Sequence, residues 1–196
     1  MRRGWTKFLL LASAAAVLVA IAPAKAQDDD AATRIPRANE VTLVGLRPGR
    51  DTLAFAERRL RTKPDAQSSD GTTEWHDPCT GRAIKLEVDA KGVIQSVTIS
   101  AIASDTGRCS GHHGKFIDDK DWQTGHGLRL GDSEDRVSEL YGDANSAGPS
   151  VKGEHELELL YYAFDWAGSD VPQVMEILCA RESGRVMEIT LAYPSL

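Results

Sequence analysis

Apolar positions fall into two periods along this chain. Leu53, Phe55 or Ala56, and Leu60 recur at helical spacing and stop before Pro64, which predicts a helix with Asp51 as its N-cap. A second stripe begins after Ser133, takes in Val137 and Leu140, and ends at Tyr141-Gly142, where glycine is a natural stop. Elsewhere the period is two. Ile84, Leu86 and Val88 alternate with charged residues, Asp89-Ala90-Lys91-Gly92 supplies a turn, and Val93, Val97 and Ile99 alternate back as a hairpin. A turn centred on Ala90 and Lys91 sets Ile84 opposite Val97. Further strands are predicted at about 156–166, 173–180 and 185–193. Val41 to Leu46 reads as a short strand or extended lead-in, and Asp65 to Thr73 as a polar loop.

Parts of this pattern occur twice. Gly45-Leu46-Arg47-Pro48-Gly49 returns as Gly127-Leu128-Arg129-Leu130-Gly131. Gly92-Val93-Ile94-Gln95-Ser96-Val97-Thr98-Ile99 returns as Gly184-Arg185-Val186-Met187-Glu188-Ile189-Thr190-Leu191, in the same order and at similar spacing. Internal duplication is therefore expected. The fold class that follows is α+β, with two tandem helix-plus-antiparallel-meander repeats and the helices on one face of the sheet. Repeat 1 spans residues 45–103, a connector 104–126 and repeat 2 residues 127–196, after a mobile leader at 27–44.

The chain's beginning reads as a cleaved signal peptide over residues 1–26. Arg2, Arg3 and Lys7 precede an apolar run from Phe8 to Ala22, and Ala24-Lys25-Ala26 offers small residues for cleavage. The run is short for a membrane span, so the mature protein is expected to be periplasmic or secreted, with no span left after cleavage. With the leader go four of the 23 basic residues and none of the 29 acidic ones, which leaves a mature charge of −10. Such a surface repels phosphate backbones and argues against nucleic acid as a partner, whereas a basic protein would suit it.

A Gly-Leu-Arg-x-Gly segment, a capped helix ending near Tyr-Gly, strands carrying aromatics and a glycine-centred hairpin together resemble a family of small bacterial envelope domains. These are the outer-membrane assembly lipoproteins of the SmpA/OmlA type, and two such units in tandem resemble the β-lactamase inhibitor protein architecture. The resemblance is carried by Gly127 to Gly142 with Tyr162 and Phe164; residues 65–80 depart from it, and a lipidated cysteine is missing. It implies two sheets joined edge to edge, a concave face that grips a partner, and an inhibitor-like or assembly-factor-like role.

Candidate chemistry is sparse. His76-Asp77-Pro78-Cys79 and Cys109-Ser110-Gly111-His112 each place a Cys and a His three positions apart. A disulfide between Cys79 and Cys109 is favoured in an exported protein. The alternative is a structural zinc held by His76, Cys79, Cys109 and His112; otherwise no cofactor is expected. Cys179 alternates with Met175 and Ile177 and reads as a buried, inert thiol. Gly131-Asp132-Ser133-Glu134-Asp135 lacks the closing glycine of a nucleophile elbow, and His155-Glu156 lacks a second His at zincin spacing, so no enzyme is expected. The aromatic strand offers more. Leu157 to Trp166 is apolar on both faces, where a half-covered sheet should alternate. Either Phe116 and Trp122 of the connector (or the other repeat) cover the extra face, or it awaits a protein partner through Tyr161, Tyr162, Phe164 and Trp166. The expected function is a non-enzymatic protein-binding module of the bacterial envelope, the alternative a small metal-binding envelope protein.

Overall fold

One antiparallel sheet organises the described part of the chain. The computed structural model describes residues 39–77, 80–101, 118–164 and 173–193. In chain order the elements are helix α1 (Leu53–Leu60), strands β1 (Ala66–Gln67), β2 (Thr72–Asp77), β3 (Arg82–Val88) and β4 (Ile94–Ser100), a 3-10 turn at Asp119–Asp121, helix α2 (Glu134–Tyr141), and strands β5 (Ser146–Lys152), β6 (His155–Phe164), β7 (Gln173–Ala180) and β8 (Arg185–Ala192). The eight strands lie in the order β1-β2-β3-β4-β8-β7-β6-β5.

This overturns the expected α+β class of two tandem helix-plus-meander repeats. The described structure is mainly β, a single eight-stranded sheet with only two short helices. Each helix has 8 residues, about 12 Å of axis. Together they supply four fully buried side chains, Ala56, Leu60, Val137 and Tyr141. Strands β1, β2 and β5 shift the balance further, and none of them follows an apolar alternation. Edge strand β5 is Ser-Ala-Gly-Pro-Ser-Val-Lys, a composition tolerated only where one side of the ladder is unpaired.

The helix starts are anchored alike. Thr52, not Asp51, caps α1: its Oγ1 accepts from Phe55 N at 3.3 Å, as Ser133 Oγ does from Arg136 N in α2. Asp51 instead closes the preceding turn by accepting from Arg47 N at 2.8 Å. Asp132 does the same for Arg129 N. Gly49 N donates to Ile94 O and Gly131 N to Val186 O, both at 2.7 Å, which ties each turn to a neighbouring strand. Leu53 N to Gly92 O and Glu134 N to Gly184 O are a further matched pair.

The β3–β4 hairpin keeps the expected face but not the expected register. Ile84 pairs with Ile99 and Leu86 with Val97, a slip of two residues that leaves every side chain on its own face. The loop is wider than a two-residue turn because Asp89 Oδ1 accepts from both Lys91 N and Val93 N, and a bulge sits at Glu87/Val88.

The core lies on one side of the sheet. Trp75, Ile84, Leu86, Val97, Ile99, Met175, Ile177, Ile189 and Leu191 point into it and meet Leu43, Leu46, Trp122 and Leu128. Glu40, Leu43 and Val44 are buried, so the fold takes in residues assigned above to the leader. Leu43 and Leu46 exchange backbone hydrogen bonds around a tight turn whose inner residues both have positive φ, Val44 at 48° and Gly45 at 70°. A methyl group on Gly45 would sit 2.3 Å from the Arg59 guanidinium, which donates to Val44 O. Gly45→Ala should therefore cost about 1–3 kcal/mol, from the left-handed backbone and the displaced arginine. Chemical denaturation measures it.

Candidate partner-binding face

Because side chains alternate across a strand, the face opposite the core carries the other parity. There the register lines up a row across six strands: Glu74, Lys85, Thr98, Thr190, Glu176 and Tyr161. Five strand spacings make this row about 24 Å long. Thr98 and Thr190 share a hydrogen bond of 2.9 Å at its centre, across the β4–β8 seam. A neighbouring row holds His76, Ala83, Ser100, Glu188, Leu178 and Leu159. Over the greater part of these rows lies a groove of about 640 Å³, lined, among the described residues, by strand side chains from β2, β3, β4, β5, β7 and β8.

The groove forms because the sheet coils. Lys152 Nζ of β5 donates to Glu188 Oε2 of β8, although β6 and β7 lie between them. On a flat sheet three strand spacings across and four residues along would separate the two α-carbons by roughly 20 Å. Contact requires the right-handed twist to bring the β5–β6 end over the face. Lys85 pairs with Glu87 at 3.3 Å. Glu188 is 8% exposed, whereas Glu176 is exposed and makes no ion pair among the described residues.

The aromatic set expected to bind a partner does not share one surface. Tyr162 and Phe164 are 1% exposed and belong to the core, which corrects their assignment as contact residues. Their rings stack at 5.9 Å and both flank Tyr141, and Tyr162 Oη donates to Gly142 O. Only Tyr161 points to the open face, and Trp166 lies outside the described residues. Alternation singles out no exposed face on β6, because that strand is apolar on both sides, Leu157, Leu159 and Ala163 sharing the Tyr161 side. Polar alternation on β3, β4 and β8 is the signal for the open face.

Cys79, Cys109 and His112 lie outside the described residues, and with them the disulfide and zinc readings. His76 stands on β2 with Nδ1 3.8 Å from Asp65 Oδ2 and Nε2 3.6 Å from Glu74 Oε2. Among the described residues no three metal-ligating side chains converge. Cys179 is buried in the core, and burial first, then Glu134 and Glu158, push its thiol up to about 12.

A second polar cluster, not anticipated from the sequence, lies on the core side. Glu40 is 1% exposed. Its Oε1 accepts from Val41 N and Thr42 N, and its Oε2 from His126 N and Tyr141 Oη. His126 Nδ1 lies 2.9 Å from the same Oε2, and Thr124 Oγ1 2.7 Å from Tyr141 Oη. Burial pushes the carboxyl up, but the hydrogen bonds from Thr42, His126 and Tyr141 outweigh it, and Glu40 is held below the ordinary carboxylate range. Burial and the Glu40 charge raise the Tyr141 phenol, which keeps it a proton donor. The cluster fastens three segments, residues 40–42, 124–126 and α2, through one carboxylate.

Comparison of the sequence with family profiles and with curated proteins finds no match. Among solved structures the chain is similar to a DUF4309 family protein, YjgB, from Bacillus subtilis, at 9% identity and a TM-score of 0.47, with 79% of this chain and 88% of that chain covered.

Proposed function

We propose that the protein is a non-enzymatic binding module that captures a protein partner on the open face of its sheet, in the periplasm or outside the cell. The observation that supports this reading is the groove itself, lined among the described residues by strand side chains and spanning the β4–β8 seam. Rows of hydroxyl and charged groups on a rigid sheet hold hydrogen-bond partners in fixed positions, which suits recognition of a shaped protein surface. Tyr161 at the end of the central row supplies an amphipathic anchor of the kind interfaces favour.

Thr98→Tyr combined with Thr190→Tyr tests the reading. Both positions face the groove, and tyrosine suits a strand, so stability should change by less than about 1 kcal/mol. Pull-down from an envelope extract with this variant should lose the captured partner, and Tyr161→Ala should weaken capture about 10-fold. An unchanged partner set with the double variant would remove the open face as the binding site.

A further inference from the structure

We infer that the partner presents a basic segment, and that its arginine or lysine side chain takes the place of Lys152 at Glu188. This rests on the open face being the binding site. Among the described residues, four carboxylates, Glu74, Glu87, Glu176 and Glu188, line the groove against two lysines, Lys85 and Lys152. Both lysines are spoken for, by Glu87 and Glu188. Glu176 is left exposed in the central row, and the whole chain carries a net charge of −6. An incoming cation therefore finds an unpaired carboxylate and a field of favourable sign, whereas an acidic segment finds neither.

Glu188 is the more demanding of the two acids. Almost fully buried, it needs a cationic or hydrogen-bond donor at all times. The cation present reaches it from β5, across two intervening strands, on a lysine side chain that is 49% exposed. Such a lysine occupies the position a ligand cation would fill. A guanidinium offers the carboxylate a bidentate fork where the ammonium offers a point charge, so exchange is favourable when a partner's arginine arrives. Glu176 lies on the neighbouring strand, one row away, close enough to take a second cation of the same segment.

The test uses the full chain and a fluorescein-labelled decapeptide of alternating arginine and serine, with the glutamate–serine decapeptide as control. Fluorescence anisotropy should show binding of the arginine peptide alone, weakening about 10-fold between 50 and 300 mM salt as the exposed charges are screened. Glu176→Gln, at an exposed position that leaves the fold intact, should weaken binding about 5-fold. Lys152→Met should tighten it by a similar factor, because the internal competitor is gone. Asp135→Asn on α2, away from the groove, should leave affinity unchanged. Equal binding of the acidic peptide, no binding of the basic one, or indifference to both Glu176→Gln and Lys152→Met would overturn the inference. A partner lost with the double tyrosine variant yet indifferent to Glu176→Gln and to salt would overturn the charge argument and leave the open face standing. A partner retained by the double tyrosine variant would instead remove the face.

Discussion

Glu40→Ala is expected to lower stability by about 3 kcal/mol at neutral pH, out of the 5–15 kcal/mol typical of a domain. The substitution strips the acceptor from Val41 N, Thr42 N, His126 N and Tyr141 Oη at once. Tyr141 keeps Thr124 Oγ1, so the backbone donors account for most of the loss. The same group gives a pH signature. Its folded-state pKa is depressed, so its contribution is fully present above the unfolded value of about 4.3 and is lost as pH falls through the lower folded value. Wild-type protein should therefore lose more stability than Glu40→Gln between pH 5 and pH 3, and their urea midpoints should draw together. Parallel midpoints across that range would show that the carboxylate charge adds nothing.

Trp75→Ala is expected to cost more, about 3–5 kcal/mol. Trp75 is the one large apolar side chain that β2 sends into the core, since Thr73 and Asp77 are its inward neighbours. Its Nε1 also donates to Thr62 O at 3.3 Å, tying the segment after α1 to the strand. The cavity left by alanine should loosen the β1–β2 edge before the rest of the sheet. Hydrogen exchange would then rise first at β2 and at the β3 amides paired to it, with β4 and β8 protected. A loss below about 1 kcal/mol, or uniform exchange, would show that β2 is held by its ladder alone.

The legible parts of the fold were those where burial and period agreed. Ile84 to Val88 alternates apolar and charged residues, Met175 and Ile177 flank Glu176, and both segments are strands. Strand β5 was illegible because an edge strand exposed along its length has no apolar code, and Pro149 argued against it. Strand β2 hid behind threonines and charges, with Trp75 as its lone signal. The helical stripes lie where the helices form, but two helices of 8 residues each carry little weight beside eight strands, of which β1, β2 and β5 have no apolar code. The open face is half legible. Its polar alternation is visible on β3, β4 and β8, whereas the aromatics of β6 point to Tyr162 and Phe164, which the core absorbs. Glu40 could not be found by spacing, since His126 and Tyr141 lie 86 and 101 residues away.

The β4–β8 seam has a kinetic consequence. Thr98 and Thr190 stand 92 residues apart in the chain, so the middle of the sheet cannot close until its last strand is available. Until then β4 is an uncapped template, open to pairing with any extended neighbour. Such high contact order makes for slow folding, with the first four strands waiting on the last.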